Sequence, residues 1–174
     1  MQSEGIHCDG SLLGEVFSMS FPTHFGNPMR IRIAQASDFE QWLALWKQYQ
    51  VFYKTDIPYS VTETTWERFL DEREPMHCAV AELDGKLVGM VHYISLRSCW
   101  TQGDNVYLQD LFTEPALRGD GIGRALIEHV YAFAAQEKAA KVWWLTHETN
   151  QTAMLLYDTI AEKSGFVQYR KVIA

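Results

Sequence analysis

The sequence predicts an α/β protein of the α+β kind, with a mixed, mainly antiparallel central sheet of six to seven strands flanked by helices. Three observations carry this. Asp84 and Gly85, the dipeptide favoured by type I′ hairpin turns, separate two stretches rich in Val, Ala, Met and Ile, residues 77–83 and 86–97. Residues 106–134 pass from strand-like alternation through a glycine-rich turn into apolar residues at helical spacing. Residues 141–146, with Val142, Trp143, Trp144 and Leu145, form a short apolar run, and a helical crossover lays it parallel to the strand over 106–113.

In chain order, residues 1–28 show neither a two-residue nor a 3.6-residue period and are assigned as an N-terminal extension of unknown role, with enough Phe, Leu and Met to pack on its own domain or on a second subunit. The run from Met29 to Ile33 is the first strand and opens a single domain over 29–174. Ser37 and Glu40 have the spacing of a capping box, and Phe39, Trp42, Leu43, Trp46 and Tyr49 lie on one face of a helix of about fifteen residues. Pro58 interrupts it, and Ser60 with Glu63 repeats the capping spacing before Trp66, Phe69 and Leu70. The hairpin of 77–97 follows, then a strand over 104–113 that Pro115 stops. After 141–146 comes a helix with Ala153, Leu156, Tyr157, Ile160 and Ala161 on its inner face, and Gly165, Phe166 and Val167 end it in a final strand.

Composition narrows the function classes. The 174 residues are 47% hydrophobic, enough for one domain with a real core. No run of 18 apolar residues and no basic-then-apolar leader is present, so a soluble, cytoplasmic protein is expected without a membrane partner. Cys8, Cys78 and Cys99 make an odd, irregularly spaced set that reads as reduced thiols, and the six histidines fall outside ligand spacing, so no metal is expected. A net charge of −7 argues against nucleic acid, because phosphate recognition needs clustered Lys and Arg, and it suits a cationic amine.

The one place built for an anion is the turn Arg118, Gly119, Asp120, Gly121, Ile122, Gly123 and Arg124, which opens a helix whose apolar positions are Ile122, Ala125, Leu126, Val130, Phe133 and Ala134. The first turn of a helix leaves N–H groups without partners and carries roughly half a positive charge, and glycines let a bulky phosphate approach the backbone. A Walker loop needs Lys followed by Ser or Thr after its glycines, and Arg124 and Ala125 stand there instead. A dinucleotide fingerprint would require a glycine where Arg124 sits. The pattern Arg-x-x-Gly-x-Gly, after a strand and before an amphipathic helix, resembles the coenzyme A loop of the GNAT superfamily of N-acyltransferases.

A second motif supports that resemblance. Asn150 and Tyr157 are seven residues apart near the start of the last helix, so their side chains return to within about 20° of one face, two turns apart. A strand, an Asn at a helix start, a Tyr two turns later and a closing Gly-Phe are similar to the second signature of the superfamily. Tyr107, Leu108, Gln109, Asp110, Leu111 and Phe112, the glycine loop, and the tail from Trp143 through Tyr169, Arg170 and Lys171 look most like the branch that includes yeast N-acetyltransferases acting on histones, polyamines or D-amino acids. Gln109 departs from relatives that carry a glutamate there, which leaves the base open.

The resemblance implies an acetyl-CoA-dependent N-acetyltransferase acting on a small-molecule, lysine or N-terminal amine, with homodimers common in the branch. It implies cofactor contacts at Leu111, Phe112, Thr113, Arg118, Gly119, Asp120, Gly121, Ile122, Gly123, Arg124 and Asn150. An alkylamine near pKa 10.4 costs about 4 to 5 kcal/mol to deprotonate at neutral pH. Asp110 is the first candidate to take that proton through a water, with Glu148 behind it; the competing reading makes Asp110 an anchor for a loop or for the acceptor's ammonium. A strand N–H near Leu111 to Thr113 is placed to receive the carbonyl charge, and Tyr157 to protonate the departing thiolate, unless it is a core tyrosine. A catalytically silent acyl-CoA sensor of the same fold shares these motifs.

Overall fold

The computed structural model describes residues 19–21 and 28–173. They fall into two compact units, one ending at Trp144 and one beginning at Leu145. The first holds a six-stranded sheet in chain order, β1 (Met19–Phe21), β2 (Met29–Ile33), β3 (Met76–Leu83), β4 (Lys86–Leu96), β5 (Asn105–Thr113) and β6 (Lys141–Trp144). Every neighbouring pair is antiparallel except β5 with β6, which is parallel, as a helical crossover requires. Strand β1 comes from the extension in which no strand was expected; three residues are too few for periodicity to register.

Helices α1 (Phe39–Phe52) and α2 (Tyr59–Leu70) cover one face of the sheet. Trp42, Leu45, Trp46, Trp66 and Phe69 pack there with Cys78, Val80, Met90 and Phe112. Helix α3 (Ile122–Gln136) covers the other face, where Phe133 meets His77 and Tyr93 at ring-centroid distances of 4.7 and 4.9 Å. Gly89 sets how closely α3 approaches: a Cβ there would lie 3.0 Å from the Phe112 carbonyl oxygen and 3.1 Å from Ile122. The β3–β4 hairpin turns at Asp84 and Gly85, both at positive φ (51° and 76°), as a type I′ turn demands.

Two irregularities matter for the site. In β5, His92 pairs with Asp110 but Tyr93 pairs with Leu108, so Gln109 is an inserted residue, a β-bulge. Cross-strand partners share a face, so Asp110 lies with His92 on the α1 side while Leu108 lies with Tyr93 on the α3 side. Strand β6 ends after pairing Trp144 with Leu108. Beyond residue 108, β5 is therefore paired on its β4 edge and, among the described residues, has no strand on the other.

The α1 start differs from the expected capping box. Asp38 is the N-cap and makes no side-chain cap to the helix; its carboxylate takes a two-pronged bond from Arg32 at 2.6 and 2.9 Å and the Gln35 amide at 2.7 Å. A 3-10 turn over Ala36–Asp38 precedes the helix, so Ser37 lies inside that turn instead of capping α1. At α2 the cap is Pro58, and Ser60 is already inside the helix, where its carbonyl accepts from Thr64. The second unit contains α4 (Gln151–Ile160). The final strand expected at Gly165, Phe166 and Val167 is not formed: 161–173 carry no regular structure and pair with no described strand, and a strand needs a neighbour for its N–H and C=O groups. Among the described residues no helix is long and apolar enough to cross a membrane.

Candidate active site

The backbone of β5 beyond the bulge is the first part of the site. The Glu114 N–H donates to the Val88 carbonyl at 2.9 Å, and hydrogen-bonded pairs alternate along an antiparallel ladder, so 112 with 90 and 110 with 92 are the bonded pairs. Leu111 and Thr113 consequently aim their N–H and C=O groups at the opposite edge, where β6 has already ended. Phe112 instead buries its ring in the core under α1.

The glycine loop follows directly. Gly119 and Gly121 adopt φ of +97° and +84°, and Gly121 is the left-handed N-cap of α3. A Cβ at either would meet nothing within 4 Å, so the loop faces open space. The Ala125 N–H closes the first turn onto the Gly121 carbonyl at 2.9 Å, and among the described residues no backbone bond is donated by the amides of 119 to 123. These are the unpaired donors that a helix start presents to an anion. Arg118 lies with its guanidinium 5.5 Å from the centre of the Phe52 ring at the end of α1, Asp120 is half-buried, and Arg124 occupies the first helical turn.

The third part is a hydrogen-bonded chain under α1. The Trp42 indole can only donate, and its Nε1–H meets His92 Nε2 at 2.9 Å. His92 therefore carries its proton on Nδ1 and donates it to Asp110 Oδ2 at 3.0 Å. The Tyr49 hydroxyl donates to Asp110 Oδ1 at 2.6 Å. Both carboxylate oxygens thus act as acceptors, and Asp110 itself is only 8% exposed. Tyr53 lies beside Tyr49, ring centres 4.8 Å apart and planes tilted by 52°, and is open to solvent. Burial, then the charge of Asp110, drives the Tyr49 hydroxyl well above the usual tyrosine range; burial also raises Tyr53, against a lowering by its hydrogen bond with Tyr49, and raises Tyr107, and Asp110 adds to both.

In the second unit Asn150 is the N-cap of α4, and its side-chain amide donates to Thr146 Oγ1 at 3.1 Å. Tyr157 sits two turns on along α4 and is half-buried, while Glu148 is exposed. Sequence reading missed Trp42, Tyr49 and His92 as a set. The available signal was the seven-residue spacing of Trp42 and Tyr49, which puts both on one helix face. No cluster of three or more His, Cys, Asp or Glu able to hold a metal occurs among the described residues.

The sheet order, the bulged and half-open β5, and a helix springing from a glycine loop define an acyl-CoA N-acyltransferase fold. A family model described as Acetyltransferase (GNAT) family matches residues 39–161, and the chain belongs to that family. It is similar to the D-amino-acid N-acetyltransferase HPA3 of Saccharomyces cerevisiae, 36% identical over 143 residues that cover 81% of this chain and 89% of that protein. It is 29% identical over 155 residues to the thialysine N-epsilon-acetyltransferase of Mus musculus, covering 81% and 91% of the two chains. Among solved structures, a ribosomal-protein-alanine N-acetyltransferase from Brucella melitensis biovar Abortus 2308 shares the fold at a TM-score of 0.71 and 20% identity, over 83% of this chain and 99% of that one. The aminoglycoside N-acetyltransferase AAC(6')-Iy, solved with CoA, does so at 0.73 and 19%, over 88% and 98%. The expectation of an acetyl-CoA-dependent N-acetyltransferase is borne out at the level of the enzyme class.

Proposed function

We propose that residues 29–174 act as one cytoplasmic catalytic domain that moves an acetyl group from acetyl-CoA to a small primary amine by direct attack. The observation that carries this reading is the run of unpaired amides at 119–123 beside the open edge of β5. The loop accepts the pyrophosphate, with Arg118 and Arg124 supplying charge, and the Leu111 or Thr113 N–H receives the negative charge that develops on the thioester oxygen. Asp110 takes a proton from the ammonium of the acceptor. Tyr157 donates to the departing thiolate, an assignment supported by its seven-residue spacing from Asn150 on α4. The names of HPA3 and of the thialysine enzyme point to an acceptor of amino-acid size, and the net charge of −7 favours a cation.

We also infer a homodimer, supported by the apolar tail residues Phe166, Val167, Tyr169, Val172 and Ile173, which are 74 to 92% exposed. Sedimentation that finds a monomer at micromolar concentration removes that inference. The cofactor claim is tested by calorimetry with acetyl-CoA: the double variant Arg118→Ala/Gly121→Ala should bind at least ten times more weakly, and unchanged affinity refutes the loop assignment. Tyr157→Phe should keep acetyl-CoA affinity and lose on the order of 10²-fold in kcat. Thiol release across a panel of D-amino acids, lysine analogues and polyamines identifies the acceptor; silence with all of them leaves an acyl-CoA sensor.

A further inference from the structure

We propose that Asp110 draws the acceptor's proton through the Tyr49 hydroxyl, and that His92, fixed by Trp42, is a positioning residue that holds the carboxylate for this transfer. The inference rests on the reading of the chain as an amine acetyltransferase and adds to it the path of the proton and two residues in named roles.

Geometry leads to it. Asp110 is sealed at 8% exposure, and Tyr49 Oη and His92 Nδ1 each occupy one of its oxygens. Tyr49 is only half-buried. Its single O–H is spent on Asp110 and one lone pair of its oxygen is engaged by the Tyr53 hydroxyl, so the other lone pair remains to accept an N–H from the ammonium or from a water bound to it. In the step, one N–H bond of R–NH3+ breaks and its electron pair stays on nitrogen. The proton passes to Tyr49 Oη as the hydroxyl proton of Tyr49 passes to Asp110 Oδ1. The products are R–NH2, a neutral Tyr49 and a protonated Asp110. Both transfers are concerted, because burial and the neighbouring carboxylate make a free Tyr49 phenolate too costly. The amine then attacks the thioester; its second proton leaves with the thiolate, and the proton on Asp110 returns to solvent by the reverse path.

Throughout this cycle Asp110 Oδ2 keeps the bond from His92 Nδ1, whose tautomer the indole of Trp42 dictates. The carboxylate can therefore change protonation state without rotating. The titratable groups around it are Tyr49 and Tyr53 from α1, His92 from β4, Cys78 from β3 and Tyr107 from β5 itself.

The test is steady-state kinetics of the full chain with acetyl-CoA and the best amine from the panel, across pH. Tyr49→Phe and Asp110→Asn should each lower kcat about 10²-fold or more at neutral pH with the acetyl-CoA KM unchanged, and their rates should climb as pH approaches the pKa of the amine. The double variant should be no slower than either single one, since both break one path. His92→Phe should lower kcat about tenfold, and His92→Asn, which keeps a donor near the Nδ1 position, should restore most of it. On the unaltered protein, a proton inventory should curve as two protons in flight require, whatever the variants do. A linear inventory overturns the relay. So does Tyr49→Phe with unchanged kcat beside a dead Asp110→Asn, which leaves Asp110 as base by another route and the acetyltransferase intact. Variants that raise only the KM for the amine make the pair an ammonium anchor and also overturn it. An unaltered protein without turnover removes the acetyltransferase reading itself.

Discussion

Asp38 and Asp110 are both buried carboxylates, 5% and 8% exposed, yet their surroundings differ in kind. Asp38 faces a permanent cation: Arg32 grips both its oxygens and reaches Glu82 with its remaining nitrogen at 2.7 Å. Burial pushes Asp38 up, but the bonds from Arg32 and the Gln35 amide and the charge of Arg32 outweigh it and hold the group below the usual carboxylate range. Asp110 has no guanidinium; its donors are a phenol and an imidazole. A carboxylate matched by a fixed charge stays ionised and serves the fold. One matched by neutral donors can take up a proton where it sits. On the proposed reading, the pair separates a structural charge from a functional one within one molecule.

The largest expected effect lies on the structural side. Arg32→Leu strands the Asp38 carboxylate beside β2 and should cost about 3–5 kcal/mol of stability in urea unfolding; a loss no bigger than that of Asp110→Asn would erase the distinction. Acid titration sharpens it. His129, a fully buried residue of α3, has a pKa lowered to about 4 by burial. An unfolded histidine near 6.5 binds a proton that the folded one refuses, so stability should fall by roughly 3 kcal/mol as pH drops from 6.5 to 4. The Asp38 contribution has the opposite placement: it is complete above the ordinary range near 3.9 and disappears only as pH falls through the depressed folded value. Stability of His129→Leu should therefore fall less steeply than that of the unaltered protein between pH 6.5 and 4, the remaining slope coming from His77, whose pKa burial also lowers. The smallest effect is the stability cost of Asp110→Asn, about 2 kcal/mol: the amide oxygen still accepts from Tyr49, while the amide NH2 meets the His92 Nδ1–H and leaves that donor without an acceptor. Turnover should register that change more strongly than the fold.

How much of this was legible in the sequence follows from the range of the interactions. The hairpin at Asp84 and Gly85, the helix start at Gly121 and the parallel β6 rest on residues close in the chain, and each formed where expected. Asp110 and residues 118–124 were singled out from the sequence as candidate site residues. The partners of Asp110 were not, because Tyr49 lies 61 residues away and only tertiary packing brings it in. Similarly, the capping box that local spacing favoured at Ser37 and Glu40 gave way to a 3-10 turn over Ala36–Asp38, whose Asp38 is held by Arg32 from the neighbouring strand. The final strand failed for the same reason in reverse: Phe166 and Val167 have strand character, but no described neighbour pairs with them.

The bulge at Gln109 carries a consequence for variation. Val106, Leu108, Asp110 and Phe112 alternate without a break and read as one stripe, yet the inserted residue hands the first two to the α3 layer and the last two to the α1 layer. A saturation scan along this strand should show two unrelated tolerance profiles meeting at one position. Enlarging Leu108 should be rescued by trimming side chains of α3, and enlarging Phe112 by trimming α1, with no compensation across the seam.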